Sequence, residues 1–432
     1  LEKNIDPLSD KNIIIFGTGT LTGTHFPSSG RITVTFKSPA TNLYAKGCAA
    51  GNFGAALKFA GYNNIIIYGC SDKPVFLSIE NEKVEICDAK FLWGKGTKET
   101  NELLQKKFGN KEIETACIGQ AGENLVKYAA IVFSGHSVAG RCGCGTVMGS
   151  KKLKAIVVEG NKSVKIVDPK EFGQLALETV QALMNSSARK KLSKYGTAKL
   201  ILKRNDMHLL PTNNFQKSYL KGAEKLSGEY LVKAGYVDKT LGCNSCGTAC
   251  HRHTSINSGK YAGTSSAGPE YETLASLGAG CGVVNPEAVL KANELCDDYG
   301  LDTISTGGAI QWAMECFGKG VITQKDTEGL TLMFGNEEAL IGLIKRITFR
   351  QGIGNILAEG VKKASEIIGQ NSDQWAIQIK GLEYSRAEIR ARMGYALALA
   401  VNPRGGDHLH SQVYAEFGAN PELAAKVTSA VK

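Results

Sequence analysis

The chain changes hydrophobic period near residue 168, and that change constrains its fold more than any other feature. Before it, residues 13–16, 32–36, 65–68, 75–79, 83–86 and 155–158 form short apolar or alternating runs divided by Gly, Asn, Asp or Pro, the pattern of strands. Asn81 and Glu82 sit between two such runs as a hairpin turn, and residues 99–108 carry a helical repeat. After it, residues 169–184, 198–204, 286–299, 310–317 and 337–350 repeat at the helical period. Asn285-Pro286-Glu287 combines a cap, a proline at the first helical position and an acidic first turn, so a helix starts there. The sequence thus predicts an α+β protein: a β-rich domain over residues 1–165, a helical domain over 166–380, and the start of a third, helical domain over 381–432.

With 432 residues and 43% hydrophobic content, the chain can build two or three cored domains. It has no charge-free apolar run of about 18 residues and no basic-then-apolar leader, so neither a membrane span nor export is expected. Twelve cysteines without a repeating framework suit reduced thiols, and the cytoplasm is the expected compartment. The net charge of +10 would attract an anionic cofactor or an acidic partner. Nucleic acid is not expected, because no Lys/Arg block carries interleaved aromatics. The chain opens at Leu1 and stops at Lys432 within helix-like sequence beginning at Pro421, so a piece of a longer protein is expected.

Cys243, Cys246 and Cys250 form a Cys-x-x-Cys-x-x-x-Cys triplet, and thiolates at that spacing rarely serve packing alone. Zinc would need His251 or His253 as a fourth ligand, a redox pair would leave Cys250 idle, and an iron–sulfur centre would take a distant fourth thiolate. Three glycine clusters, at 17–23, 47–51 and 140–145, free several backbone N–H groups for an anion, with Arg31 and Arg141 beside two of them. None matches a P-loop or a dinucleotide fingerprint. Turns in a β domain explain any one cluster; three together favour a bound anionic cofactor.

Leu21-Thr-Gly-Thr, Lys37-Ser-Pro, Leu57-Lys-Phe-Ala-Gly, Ile118-Gly-Gln-Ala-Gly-Glu-Asn, Ala139-Gly-Arg, Val147-Met-Gly-Ser-Lys-Lys-Leu-Lys-Ala-Ile, Lys194-Tyr-Gly-Thr, Gly268-Pro-Glu-Tyr-Glu, Gly300-Leu-Asp-Thr-Ile-Ser-Thr-Gly-Gly and Arg404-Gly-Gly run in order along nearly the whole chain. In this ordered set the sequence resembles the tungsten-containing aldehyde:ferredoxin oxidoreductase family. The resemblance implies a β domain that seats a tungsten or molybdenum bis-pterin, helical domains that cover it, and one [4Fe–4S] cluster beside a pterin. Cys243, Cys246 and Cys250 would be three cluster ligands, and the family's fourth, in a C-terminal Asp-x-x-Gly-Leu-Cys element, is not in this sequence. Asp297 and Asp302, in Asp-Asp-Tyr-Gly-Leu-Asp, would accept pterin N–H groups, and Arg31 and Arg141 would meet pterin phosphates or bridge pterin to cluster. Glu272 and His408 match the family's carboxylate and imidazole near the metal, a base and a carbonyl-oxygen donor; taken alone, each is more often a structural group.

Cys48 and Ala50 stand where the family has Asn and Gly, which puts the magnesium that bridges pterin phosphates in question. Glu-x-x-His, which binds an intersubunit iron in some members, is Lys291-Ala-Asn-Glu294 here, so a dimer bridged by that metal is not expected. Asp407 and His410 beside His408 imply a more polar substrate end. The expected function is oxidation of an aldehyde or oxo substrate to its acid, or the reverse, with electrons leaving through the cluster to ferredoxin or a similar carrier. Two alternatives stay open: a catalytic subunit of a larger complex such as an aromatic acyl-CoA reductase, and a non-catalytic binding module lacking a complete cluster. A homodimer is compatible with either.

Overall fold

The computed structural model describes residues 4–109, 112–390, 392–410 and 413. The helix-like run at 421–426, and most of the third predicted domain beyond 410, lie outside them.

The first half is two sheets. Strands β1 (Ile14–Thr18), β2 (Ile32–Lys37), β3 (Tyr44–Ala49) and β4 (Asn64–Ile67) form an antiparallel sheet in the order β3-β2-β1-β4, with α1 (Phe53–Phe59) between β3 and β4 in sequence. Strands β5 (Val75–Glu80), β6 (Lys83–Asp88), β7 (Glu114–Cys117), β8 (Ile131–Phe133), β9 (Ser137–Ala139) and β10 (Leu153–Glu159) form the second sheet, in the order β6-β5-β10-β7-β8-β9. β10 runs parallel to β5 and antiparallel to β7. Helices α2 (Thr97–Lys107), α3 (Gln120–Glu123) and α4 (Cys144–Ser150) complete this half.

The alternation predicted for β2 holds: Ile32, Val34 and Phe36 are buried against Phe16, Phe53 and Val147. The Asn81 turn closes β5 onto β6 with Glu80 opposite Lys83, and Asn81 takes the left-handed conformation that such a turn requires. β10 is a central strand buried on both faces, so Lys154 on it lies fully inside, where Nζ donates to Glu123 at 2.6 Å and to the Lys95 carbonyl at 2.7 Å.

Helices α5 (Pro169–Asn185), α6 (Ser187–Tyr195), α7 (Leu200–Asp206) and α8 (Gly228–Lys233) open the second half. A three-stranded antiparallel sheet follows, β11 (Val237–Leu241), β12 (His251–Ser255) and β13 (Ser265–Ala267), where the sequence reading had left only helical territory. After it come α9 (Tyr271–Thr273), α10 (Pro286–Tyr299), α11 (Thr303–Gly318), α12 (Glu337–Phe349), α13 (Ile353–Leu357) and α14 (Val361–Ile368). The short pair β14 (Gln378–Ile379) and β15 (Leu382–Glu383) and helix α15 (Met393–Val401) close the described chain.

Asn285 caps α10 as expected, its side chain accepting the Glu287 N–H at 3.1 Å. α11 starts seven residues before the predicted 310, because Ser305, Thr306, Gly307 and Gly308 at its start blur the apolar period although all four are buried. Trp312, Met314, Leu340, Leu343 and Ile347 fill the helical core, and the Trp312 indole donates to the Ser372 carbonyl at 2.9 Å. Among the described residues no helix is long and apolar enough to cross a membrane.

Candidate functional site

The cysteine triplet occupies the loop from β11 to β12. Ser245 and Ala249 both adopt left-handed backbone conformations, which coil the loop inward, and the Cys246 N–H bonds the Cys243 carbonyl at 3.0 Å. The N-terminal glycine turns clamp this loop: Ser28 N–H donates to the Ser245 carbonyl at 2.9 Å and Asn244 N–H to the Gly51 carbonyl at 3.2 Å. A Cβ on Gly30 would fall 2.8 Å from the Gly51 oxygen, so the approach needs glycine.

All three cysteines are free thiols. Burial pushes the Cys250 thiol up to about 11, with Glu270 and the other two thiolates adding to it, and burial likewise raises Cys243. Burial also acts on Cys246, but hydrogen bonds from Ser28, Thr248 and Ala249 outweigh it and hold that thiol below its usual value. Burial thus keeps Cys243 and Cys250 as neutral thiols, and a cationic group shared by the loop would be needed to draw all three as thiolates. Among the described residues no three His, Cys, Asp or Glu side chains are grouped for a single metal ion.

Beside the loop lies a cavity of about 460 Å³, between the N-terminal glycine turns and the helical half. Its wall includes Arg31, Arg141, Cys243, Cys250, Glu272, Asp297, Asp302 and His408, every predicted site residue except Cys246. Cys246 does not line it; its sulfur lies 3.5 Å from Ser28 Oγ.

The two aspartates reach the wall through one turn. α10 ends at Gly300, whose left-handed conformation lets the Leu301 N–H return to the Cys296 carbonyl at 2.7 Å, and a Cβ there would lie 2.8 Å from the Gly119 nitrogen. The chain re-enters helix at once, with Asp302 capping α11 through the Ile304 N–H at 3.1 Å. The other Asp302 oxygen faces Arg141 Nε at 3.2 Å, both side chains being buried. Enclosure pushes the Asp297 carboxyl up to about 7, against an opposing hydrogen bond from Asn293 at 3.1 Å.

Glu272 stands on α9, and its carboxylate accepts the Arg386 N–H at 2.8 Å. The helix then widens into a π-helical turn over Leu274–Gly278, a feature common at functional sites. His408 follows the buried ion pair of Arg404 with Asp407, 3.0 Å apart. Asp407 and His410 do not line the cavity, contrary to the expectation of a more polar substrate end: the Asp407 carboxylate is engaged by Arg404 and by the Leu409 N–H at 2.9 Å, and Leu409 takes the lining position.

Glu270 and Arg404, which the sequence did not single out, also line this cavity, as does His251, named there only as a possible zinc ligand. Glu270 lies 3.1 Å from His251 Nδ1 and accepts the Thr197 hydroxyl; enclosure raises its carboxyl, but these bonds prevail and hold it below the usual range. The repeated acid in Gly-Pro-Glu-Tyr-Glu was the available signal. Buried Arg141 Nη1, Arg404 Nη2, His251 Nε2 and His408 Nδ1 have no hydrogen-bond partner in the protein. That many orphaned groups, two of them on guanidinium side chains, fit a polar, anionic ligand rather than an apolar one.

The family model "Aldehyde ferredoxin oxidoreductase, N-terminal domain" matches residues 1–160, and "domains 2 & 3" of the same family matches 174–431. The tungsten-containing aldehyde ferredoxin oxidoreductase of Thermococcus kodakarensis is 41% identical over 95% of this chain and 67% of its own length. That of Pyrococcus horikoshii is 41% identical over 98% of this chain and 68% of its own. The aliphatic sulfonate oxidoreductase WOR-like subunit of Pyrococcus furiosus is 32% identical over 98% of this chain. Among solved structures, a chain of the active-site complex BamBC of benzoyl-coenzyme A reductase superposes with a TM-score of 0.81 at 28% identity, over 93% of this chain and 62% of that one.

Proposed function

Since the chain belongs to the aldehyde ferredoxin oxidoreductase family, and is an oxidoreductase, we propose that it oxidises an aldehyde to its acid, or runs the reverse reaction, on a tungsten or molybdenum bis-pterin. The observation that carries this reading is one cavity whose wall brings together Arg31, Arg141, Asp297, Asp302, Glu272 and His408 with two of the three loop cysteines. Cys243, Cys246 and Cys250 would hold a [4Fe–4S] cluster with a fourth ligand from elsewhere. Arg31 and Arg141 would receive pterin phosphates, and Asp297 and Asp302 pterin N–H groups. Cys48 on the same wall leaves magnesium the least supported of the expected groups.

A tungsten or molybdenum pterin held there would supply the two-electron oxidation. The protein's residues handle protons and position. Glu272, fixed by the Arg386 N–H, would take the proton that water loses as its oxygen adds to the carbonyl carbon, His408 would donate a hydrogen bond to the carbonyl oxygen, and the proton of the broken C–H bond would pass to solvent as its electron pair leaves. Burial of Arg404 and Asp407 as a pair places His408 without adding net charge. Electrons then leave by the cysteine loop to ferredoxin or a similar carrier. Twelve free cysteines suit a reducing compartment such as the cytoplasm.

Anaerobic purification with metal analysis and EPR tests the reading: tungsten or molybdenum with iron is expected, and stoichiometric zinc with none of these refutes it. The structural likeness to the BamBC chain favours a second reading, a catalytic subunit of a larger acyl-CoA reductase complex. Recovery of no partner subunits, with simple aldehydes oxidised by the isolated protein, excludes that reading.

A further inference from the structure

The charge of this protein is not evenly spread. Between Glu178 and Asp206 the sequence holds seven basic residues, from Arg189 to Arg204, and no acidic one, against a net +10 for the whole chain. This stretch is α6, a short 3-10 turn and α7. It packs on the cysteine loop: Arg189 Nε donates to the Gly247 carbonyl at 3.1 Å, a Cβ on Gly247 would lie 3.4 Å from Met184 Sδ, and Arg252, next but one to Cys250, donates to the Leu192 carbonyl at 3.4 Å. No residue of α6 is buried, and Lys190, Lys191 and Lys194 point into solvent. None of the ion pairs among the described residues uses these three lysines. The loop itself reaches the surface at Gly242, Ser245 and Gly247.

We propose that α6 is the docking surface for an acidic electron-carrier protein, which it seats against the Cys246 side of the loop. This rests on the reading that a cluster sits on the three cysteines and passes electrons outward. Electron transfer between proteins falls off steeply with distance, so a carrier must dock where the cluster is nearest to solvent. Here that place is rimmed by unpaired ammonium groups, with exposed Met184 beside them as an apolar contact. Unpaired surface charge contributes little to stability, but it steers an oppositely charged partner and raises its association rate by about tenfold to a thousandfold. The strong local asymmetry is thus explained by association and not by folding.

The test uses the metal-loaded full-length protein, an acidic [4Fe–4S] ferredoxin as probe, and the triple variant Lys190→Glu, Lys191→Glu, Lys194→Glu. At low salt, both the second-order rate of ferredoxin reduction and the affinity measured by calorimetry should fall by about tenfold or more, with the difference closing as salt rises. Reduction of benzyl viologen, a small dication that needs no docking surface, should hold. A control, Lys325→Glu, Lys345→Glu, Lys362→Glu, makes the same charge change away from the loop and should leave both readouts near wild type. Equal losses in control and test variants, or an α6 variant within about twofold of wild type in rate and affinity, overturn the proposal. If the wild type itself fails to reduce viologen with aldehyde, the catalytic reading falls, while the binding titration still decides whether α6 is the docking face.

Discussion

Asp297→Asn in the cofactor-free protein should produce a stability change whose sign depends on pH. Enclosure moves the Asp297 carboxyl from 3.8 to about 7 in the folded protein. Between those values the folded state holds a proton that the unfolded state has released, so stability declines as pH rises through that window. At about 1.4 kcal/mol per unit, the three units amount to about 4 kcal/mol, and water entering the open cavity reduces this to about 2–4 kcal/mol. Asparagine cannot ionise, yet its side-chain oxygen can still accept the Asn293 N–H, so the variant should be more stable than wild type by about that amount near pH 8 and equal to it near pH 4. Guanidinium midpoints followed by tryptophan fluorescence from acid to neutral pH provide the measurement. Parallel curves for the two proteins would refute the reasoning. In the pterin-loaded enzyme the order should invert, because the ionised acceptor is then paired; the readout is pterin released on denaturation.

Lys154→Met breaks the fully buried pair with Glu123 and should cost about 3–5 kcal/mol in unfolding free energy, partly restored by adding Glu123→Leu, as read from denaturant midpoints. Gly300→Ala places a side chain at φ +72° within 2.8 Å of the Gly119 nitrogen, so about 1–3 kcal/mol should be lost and pterin content should drop as Asp297 and Asp302 are displaced. Cys243→Ser should lower bound iron and abolish the wild-type cluster EPR signal while the far-UV spectrum holds, since the loop's backbone clamps do not use the sulfur.

Strands whose core-facing residues are large were legible in the sequence: β2 alternates as the pleat demands, β5 is an apolar run buried on both faces, and Asn81 marks the turn after it. β3, with Gly47 and Cys48 at its centre, and β7, with Glu114-Thr-Ala-Cys117, were not, because their pairing comes from neighbouring strands instead of local preference. The β11–β13 sheet escaped for a related reason: β12 carries His251, Arg252 and His253, polar residues whose partners Glu270, the Leu192 carbonyl and Asp238 are distant in sequence or on another strand. At the site, ordered motifs located the wall residues, since Gly300 and Gly119 record close contacts in residue type. The pairing of Asp407 with Arg404 needed coordinates, because a sequence shows that two charges are near but not that they face each other.

The clamp on the cysteine loop is built mainly from peptide groups: Ser28 to Ser245 and Asn244 to Gly51. Peptide groups are common to every residue but proline, so exchanges at 244 keep that contact provided that no imino acid removes the N–H, whereas Gly30 admits no side chain and the Ser28 hydroxyl also meets the Cys246 sulfur. The opposite end is made of side chains on α9 and the 404–409 segment, where each exchange alters the lining of the cavity. One cavity thus joins an end seated mainly by backbone to an end made of side chains, so its shape can be varied at the second while the loop keeps its place at the first.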